Sequence, residues 1–389
     1  MRKFPRLLLS ALAASALAML AACGGGSSST MSTTTTTTTT SSSAVAMNVL
    51  IPPGMAGNSE ISQYVLNNSQ APATGATFQI EWSAIDSGTG YDWSVPDGSI
   101  ATLPSGKKAN IVFWANSDSS ESNCGSSNGQ YGLSGVGNCS IPAYVWAALG
   151  SSNYTTCTPA NANGPQQIPN YFAAAFQTNY QNFIAAAIAH YSSNTQIGYI
   201  RFGLGRGGET IPVGDWDSSD ACGQQFAAWG LTDSTINLWE NYLETMLTFE
   251  AANNPSKLQL MVGITPMNGN GVPNVVAQTA VPLGIGFGSQ GLQASDVNNC
   301  AGSTADWCKL FNQFTGKVPL ELQTIGQSCP ESPASCPTGS LVALLPFAIQ
   351  NHATIFEIYY QDWLTAFDPG YSSYDSSYAS VFTSAAAGQ

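Results

Sequence analysis

From residue 44 onward the chain alternates short apolar runs with helical stretches, and no other sequence feature restricts its fold as strongly. Strand-like runs fall at Met47–Ile51, Thr77–Ser83, Asn110–Ala115, Gln196–Gly203, Leu258–Thr265, Leu283–Gly288, Val318–Thr324 and Thr354–Tyr360. Between them, helical patterns are expected at Ile61–Leu66, Asp97–Leu103, Tyr171–Tyr191, Ser234–Ala252, Val272–Thr279, Thr304–Phe314 and Ser340–Gln350. The clearest is Tyr171–Tyr191, where Ala, Phe and Ile recur at helical spacing. Eight strands separated by seven helices, with a weak eighth helix in Ser373–Ala385, is the count for an α/β fold of the (β/α)8, or TIM, barrel type.

Loop lengths point to one rim of that barrel. Helix-to-strand connections are short, as at Ser192–Thr195, Asn253–Lys257 and Thr315–Lys317. Strand-to-helix connections are long at Asn116–Asn170, Leu204–Asp233, Ser289–Ser303 and Ile325–Gly339. A barrel enzyme elaborates its C-terminal rim in this way, because that rim carries the site.

Cysteine placement agrees. Setting Cys23 aside leaves Cys124, Cys139, Cys157, Cys222, Cys300, Cys308, Cys329 and Cys336, seven of them inside the four long loops. An even set in an exported chain reads as disulfides stapling the rim. Sequence leaves the connectivity open, with Cys300–Cys308 and Cys329–Cys336 the natural local pairs. Zinc would want CxxC spacing or nearby histidines, and His190 and His352 stand apart from every cysteine. No metal and no cofactor is expected.

The N-terminus supplies the compartment. Arg2, Lys3 and Arg6 precede an apolar stretch, Leu7–Leu20, which is secretory-signal grammar and too short for a spanning helix. Leu20-Ala21-Ala22-Cys23 resembles the lipobox of bacterial lipoproteins. The resemblance implies a signal peptide over residues 1–22, acylation of Cys23, and export to an outer membrane, cell surface or periplasm-facing leaflet. The competing reading is an ordinary signal peptide with an incidental cysteine. Residues 24–43 are almost entirely Gly, Ser and Thr, with eight threonines from Thr33 to Thr40, so residues 23–43 read as a tether. Residues 44–389 form the barrel domain. Membrane contact is then through lipid alone.

Charge excludes one class of partner. Only 10 of 389 residues are Lys or Arg, against 23 Asp or Glu, for a net charge of −13. Nucleic acids are not expected partners, because neutralising phosphates needs clustered cations.

Inward-facing strand positions hold the candidate chemistry. In the second strand Phe78, Ile80 and Trp82 alternate with Gln79, Glu81 and Ser83, which puts Trp82 under a helix and Glu81 toward the lumen. Arg201, Glu321, Gln323 and Glu357 face inward by the same logic. Arg201 then serves either the site or, equally well, as a structural counter-ion for a buried glutamate. After the fourth strand, Gly203-Leu204-Gly205-Arg206-Gly207-Gly208-Glu209 lacks the order of a phosphate-binding loop. It reads instead as a close-packed turn presenting Glu209. No GxSxG elbow or Ser/His/Asp constellation stands out.

Ile80-Glu81-Trp82-Ser83-Ala84-Ile85-Asp86, then Gly90-Tyr91-Asp92-Trp93, Asp97 and Gly106-Lys107-Lys108, resembles a pattern of the clan A glycoside hydrolases, above all the β-galactosidase-like families. That resemblance implies a TIM barrel cleaving O-glycosidic bonds of an oligo- or polysaccharide with retention, using an acid/base after the fourth strand and a nucleophile on the seventh. Glu209 matches the first position and Glu321 the second. Glu357 on the eighth strand competes with Glu321, which lies early in its strand. The chain departs from the clan by having Gly208 where Asn usually precedes the acid/base. Subsites are expected from Glu81, Trp114, Trp146, Arg201, Trp216, Gln323, Tyr359 and Trp363. The alternative is a non-catalytic, glycan-binding surface lipoprotein on the same scaffold.

Overall fold

A computed structural model describes residues 45–116, 140–159, 166–214, 216–267, 271–297, 306–328 and 338–388. The expected signal peptide, Cys23 and the tether lie outside these residues, as do Cys124, Cys139, Cys300, Cys329 and Cys336, and so one member of the Cys300–Cys308 pair and both of Cys329–Cys336.

Among the described residues ten strands occur: β1 (Ala46–Ile51), β2 (Gly75–Glu81), β3 (Lys108–Trp114), β4 (Tyr154–Cys157), β5 (Gln166–Pro169), β6 (Ile197–Phe202), β7 (Leu260–Gly263), β8 (Gly286–Leu292), β9 (Leu320–Thr324) and β10 (Ile355–Tyr359). Eight of them close into a parallel barrel in the order β1-β10-β9-β8-β7-β6-β3-β2. β4 and β5 form a separate antiparallel pair in the long loop after β3. Every strand run expected from the sequence overlaps one barrel strand. The sixth lies later than its apolar run suggests: β8 reaches Leu292, so Ser289 and Gln290 belong to a strand rather than a loop.

Apolar strand residues pack outward against the helices. Trp82 is fully buried, its ring 5.0 Å from Tyr180 and 5.7 Å from Phe183 on the helix Ala174–Tyr191. A second, small apolar cluster of Tyr199, Met261 and Ile355 joins β6, β7 and β10. Since β6 and β10 are not neighbours, that contact crosses the lumen and fills its lower part. The eighth strand of the barrel is followed at once by the helix Tyr360–Phe367, with Ala379–Ala386 as the last helix. Tyr360 therefore opens a helix, where the apolar run suggests more strand.

The strand-to-helix side carries the elaboration. The loop after β3 holds β4, β5 and the helix Ala143–Leu149, and the loop after β6 holds the helix Ala221–Ala228. The disulfide Cys157–Cys222 joins these two loops. Cys308 is also disulfide-bonded. Among the described residues no helix is long and apolar enough to cross a membrane.

Candidate active site

Beneath the site lies an ionic layer, itself above the apolar plug. Arg201 on β6 donates from Nη1 to Glu321 Oε2 at 2.7 Å, and from Nη2 to Glu357 Oε2 and Gln323 Oε1, each at 3.2 Å. Gln290 Nε2 reaches the same Glu321 oxygen at 3.1 Å, and the Tyr199 hydroxyl donates to Glu357 Oε1. Gly288 makes room for Glu321, since a Cβ there would collide with its Oε2. Burial raises the pKa of both glutamates, that of Glu357 to about 8, while the Arg201 charge opposes the rise at Glu321. One guanidinium thus bridges two buried carboxyls, and its charge offsets part of the cost of holding them in a dry site.

Above this layer, at the C-terminal rim, opens a cavity of about 610 Å³. Its walls include Gln79, Trp114, Arg206, Glu209, Trp216, Thr265, Gln290, Asp296, Trp307, Gln323 and Tyr359, and Arg201 reaches it from below. Trp114, Arg201, Trp216, Gln323 and Tyr359 thus share one space with Glu209, as the strand pattern suggests. Several lining side chains carry a buried polar atom with no partner among the described residues, including Trp114 Nε1, Thr265 Oγ1, Gln290 Oε1 and Trp307 Nε1.

Glu209 is fixed through its backbone. Gly205 N donates to Glu209 O at 3.0 Å, and Glu209 N to Arg206 O at 3.0 Å. Helix side chains grip the turn from behind: Tyr180 Oη donates to Gly203 O at 2.7 Å, Tyr242 Oη to Leu204 O at 2.9 Å and Trp239 Nε1 to Thr210 O at 2.8 Å. Thr210 Oγ1 donates to Gly263 O at 3.1 Å, tying the residue after Glu209 to the end of β7. Asn at Gly208 would force its neighbours to shift. A Cβ there would stand 2.6 Å from Val112 Cγ1 and 3.3 Å from Arg201 Nε.

Other candidate residues lie away from the cavity. Glu321 and Glu357 are both 0 % exposed and do not line the cavity, because Arg201 holds them beneath its floor. Trp146 is buried in the helix Ala143–Leu149 with its ring edge-on to Tyr154, and Trp363 is buried against Phe367 and Phe382. Neither lines the cavity, since each sits on a short helix whose apolar face turns into the core. Glu81 closes β2 half-buried and is not among the lining residues; Gln79, one strand period earlier, is. The acidic turn is also structural, with Asp86 accepting from Trp82 Nε1 at 2.9 Å and from Tyr144 Oη at 2.7 Å.

Sequence reasoning misses Gln79, Arg206, Thr265, Gln290, Asp296 and Trp307 as wall residues. Gln290 is findable, because Gly286, Gly288 and Gln290 alternate on one face once β8 is extended.

No known family model and no curated protein matches the chain. Among solved structures it is similar to glycoside hydrolases. An endo-β-1,4-xylanase from Gloeophyllum trabeum aligns at 9 % identity and TM-score 0.45, over 82 % of this chain and 85 % of that one. A β-galactosidase from the Antarctic haloarchaeon Halorubrum lacusprofundi aligns at 8 % and 0.49, over 87 % and 57 %. A Bacteroidetes-affiliated GH5 cellulase aligns at 8 % and 0.44, over 89 % and 91 %. At these values the likeness carries no functional weight, and the barrel assignment rests on the strand pairing itself.

Proposed function

We propose that the rim cavity binds a carbohydrate and that Glu209 acts as an acid in cleaving its glycosidic bond. The observation that carries this reading is the wall chemistry. Indole and phenol rings at Trp114, Trp216, Trp307 and Tyr359 alternate with amides at Gln79, Gln290 and Gln323, and one carboxylate, Glu209, is presented on a pinned turn. A sugar ring has apolar faces and a girdle of hydroxyls, so it suits aromatic faces set among donors and acceptors. The unpartnered indole N–H groups, the Thr265 hydroxyl and the Gln290 carbonyl are groups a ligand hydroxyl would satisfy. The same reading has the chain exported and tethered to a bacterial membrane through an acylated Cys23.

Turnover of phenyl glycosides tests it. Glu209→Gln should lose most of that activity with folding intact, because phenoxide leaves poorly without a proton. Unchanged activity would sink the assignment.

A second reading, a glycan-binding barrel without catalysis, has one observation in its favour. The seventh-strand side chain that reaches the cavity is Gln323, an amide, where the clan resemblance implies a carboxylate nucleophile. Sugar binding by wild type, with no product from any phenyl glycoside or oligosaccharide, would favour that reading.

A further inference from the structure

This inference rests on the hydrolase reading and concerns the second carboxylate. Glu321 and Glu357 lie below the floor on Arg201, and Gln323 can neither attack nor take a proton. Besides Glu209, one acid among the described residues lines the cavity, Asp296. It stands in the loop after β8, while Glu209 stands in the loop after β6, and β7 alone separates those strands. Neighbouring strands lie ~4.8 Å apart, so the two parent strands stand ~10 Å apart along the wall. Both side chains line the one cavity from these two loops, and a carboxyl pair with a water molecule between sugar and base needs a separation of ~6.5–9.5 Å. Asp296 is held in place, its Oδ2 accepting from Gln293 N at 2.9 Å.

We propose that Asp296 is the general base of a single-displacement, inverting cleavage. A water molecule gives one proton to the Asp296 carboxylate as its oxygen bonds to the anomeric carbon. The bond from that carbon to the leaving oxygen breaks, and that oxygen takes the proton of Glu209. One proton is accepted and one donated, so hydrolysis balances with no covalent enzyme intermediate. Burial raises the Asp296 pKa above the usual carboxylate value, which strengthens it as a base toward water. The outcome is opposite to the retention that the clan resemblance implies.

The experiment compares wild type, Asp296→Asn and Glu209→Gln on phenyl and 2,4-dinitrophenyl glycosides, with proton NMR of the first-formed anomer. Asparagine keeps an oxygen acceptor for Gln293 N, and a thermal melt checks that the fold persists. Asp296→Asn should lose on the order of 10³-fold on both leaving groups. Glu209→Gln should lose chiefly on phenyl, and the first product should be inverted. A retained anomer, or Asp296→Asn within threefold of wild type, overturns the role of Asp296 and leaves Glu209 standing. A Glu209→Gln variant as fast as wild type on phenyl glycosides overturns the hydrolase reading, and the role of Asp296 with it.

Discussion

Arg201 Nη1 sits 2.7 Å from Glu321 Oε2, with both side chains at most 1 % exposed, so this charge contact lies beneath the site rather than in it. Removing one partner of such a pair strands the other in a dry lumen. Glu321→Leu is expected to destabilise the fold by about 3–5 kcal/mol, measured by urea denaturation.

Glu357 should behave differently, because burial lifts its pKa to about 8 from an ordinary value near ~4.3 when unfolded. The folded state holds this proton more tightly. Its contribution to stability is therefore complete below pH ~4.3 and is lost as pH rises through about 8. Glu357→Gln mimics the protonated form and should flatten the fall in stability between pH 5 and 9. Equal slopes in the variant and wild type would contradict this.

The helix Asn237–Ala252 buries Glu250, whose two carboxylate oxygens have no hydrogen-bond partner among the described residues. Burial raises its pKa, so it too favours the folded state at low pH and opposes it once ionised. Glu250→Gln is expected to raise the midpoint of thermal unfolding at pH 8 and to have little effect at pH 4.

Tryptophans differ in whether they line the cavity. Trp114→Ala and Trp216→Ala should weaken sugar binding by about tenfold, or ~1.4 kcal/mol, measured by calorimetry. Trp363→Ala should cost about 3–5 kcal/mol of stability, because it empties the space between Phe367 and Phe382. Sugar affinity of the folded Trp363→Ala fraction should be unchanged.

The Cys157–Cys222 bridge spans 65 residues and ties β4 to the helix that packs on Trp216 through Phe226. Chain-entropy arguments give such a closure about 4 kcal/mol. The double Cys→Ser variant should unfold at lower urea concentration and bind sugar more weakly than wild type, because the Trp216 wall loosens.

The barrel is legible in the sequence because its strands are apolar on the outer face and separated by helices of clear period. Glu209 is legible as well, since glycines before a lone acid mark a tight turn. Depth along the strands is not. Glu321 and Gln323 differ by one strand period, and both face inward. Which one meets the cavity depends on where the Arg201 side chain comes to rest, and that is a matter of three strands at once. Trp363 escapes sequence reasoning for a related reason: Tyr360 extends the apolar pattern of β10, and periodicity alone cannot show the turn into a helix.

The anchoring of the Gly203–Thr210 turn by Tyr180, Tyr242 and Trp239 has an entropic consequence. Its backbone is already ordered by side chains that stand outside the cavity lining, so binding a ligand there need not freeze it. Variation in affinity among substrates should therefore arise in the loops after β3 and β8. Glu209 stays where folding puts its backbone.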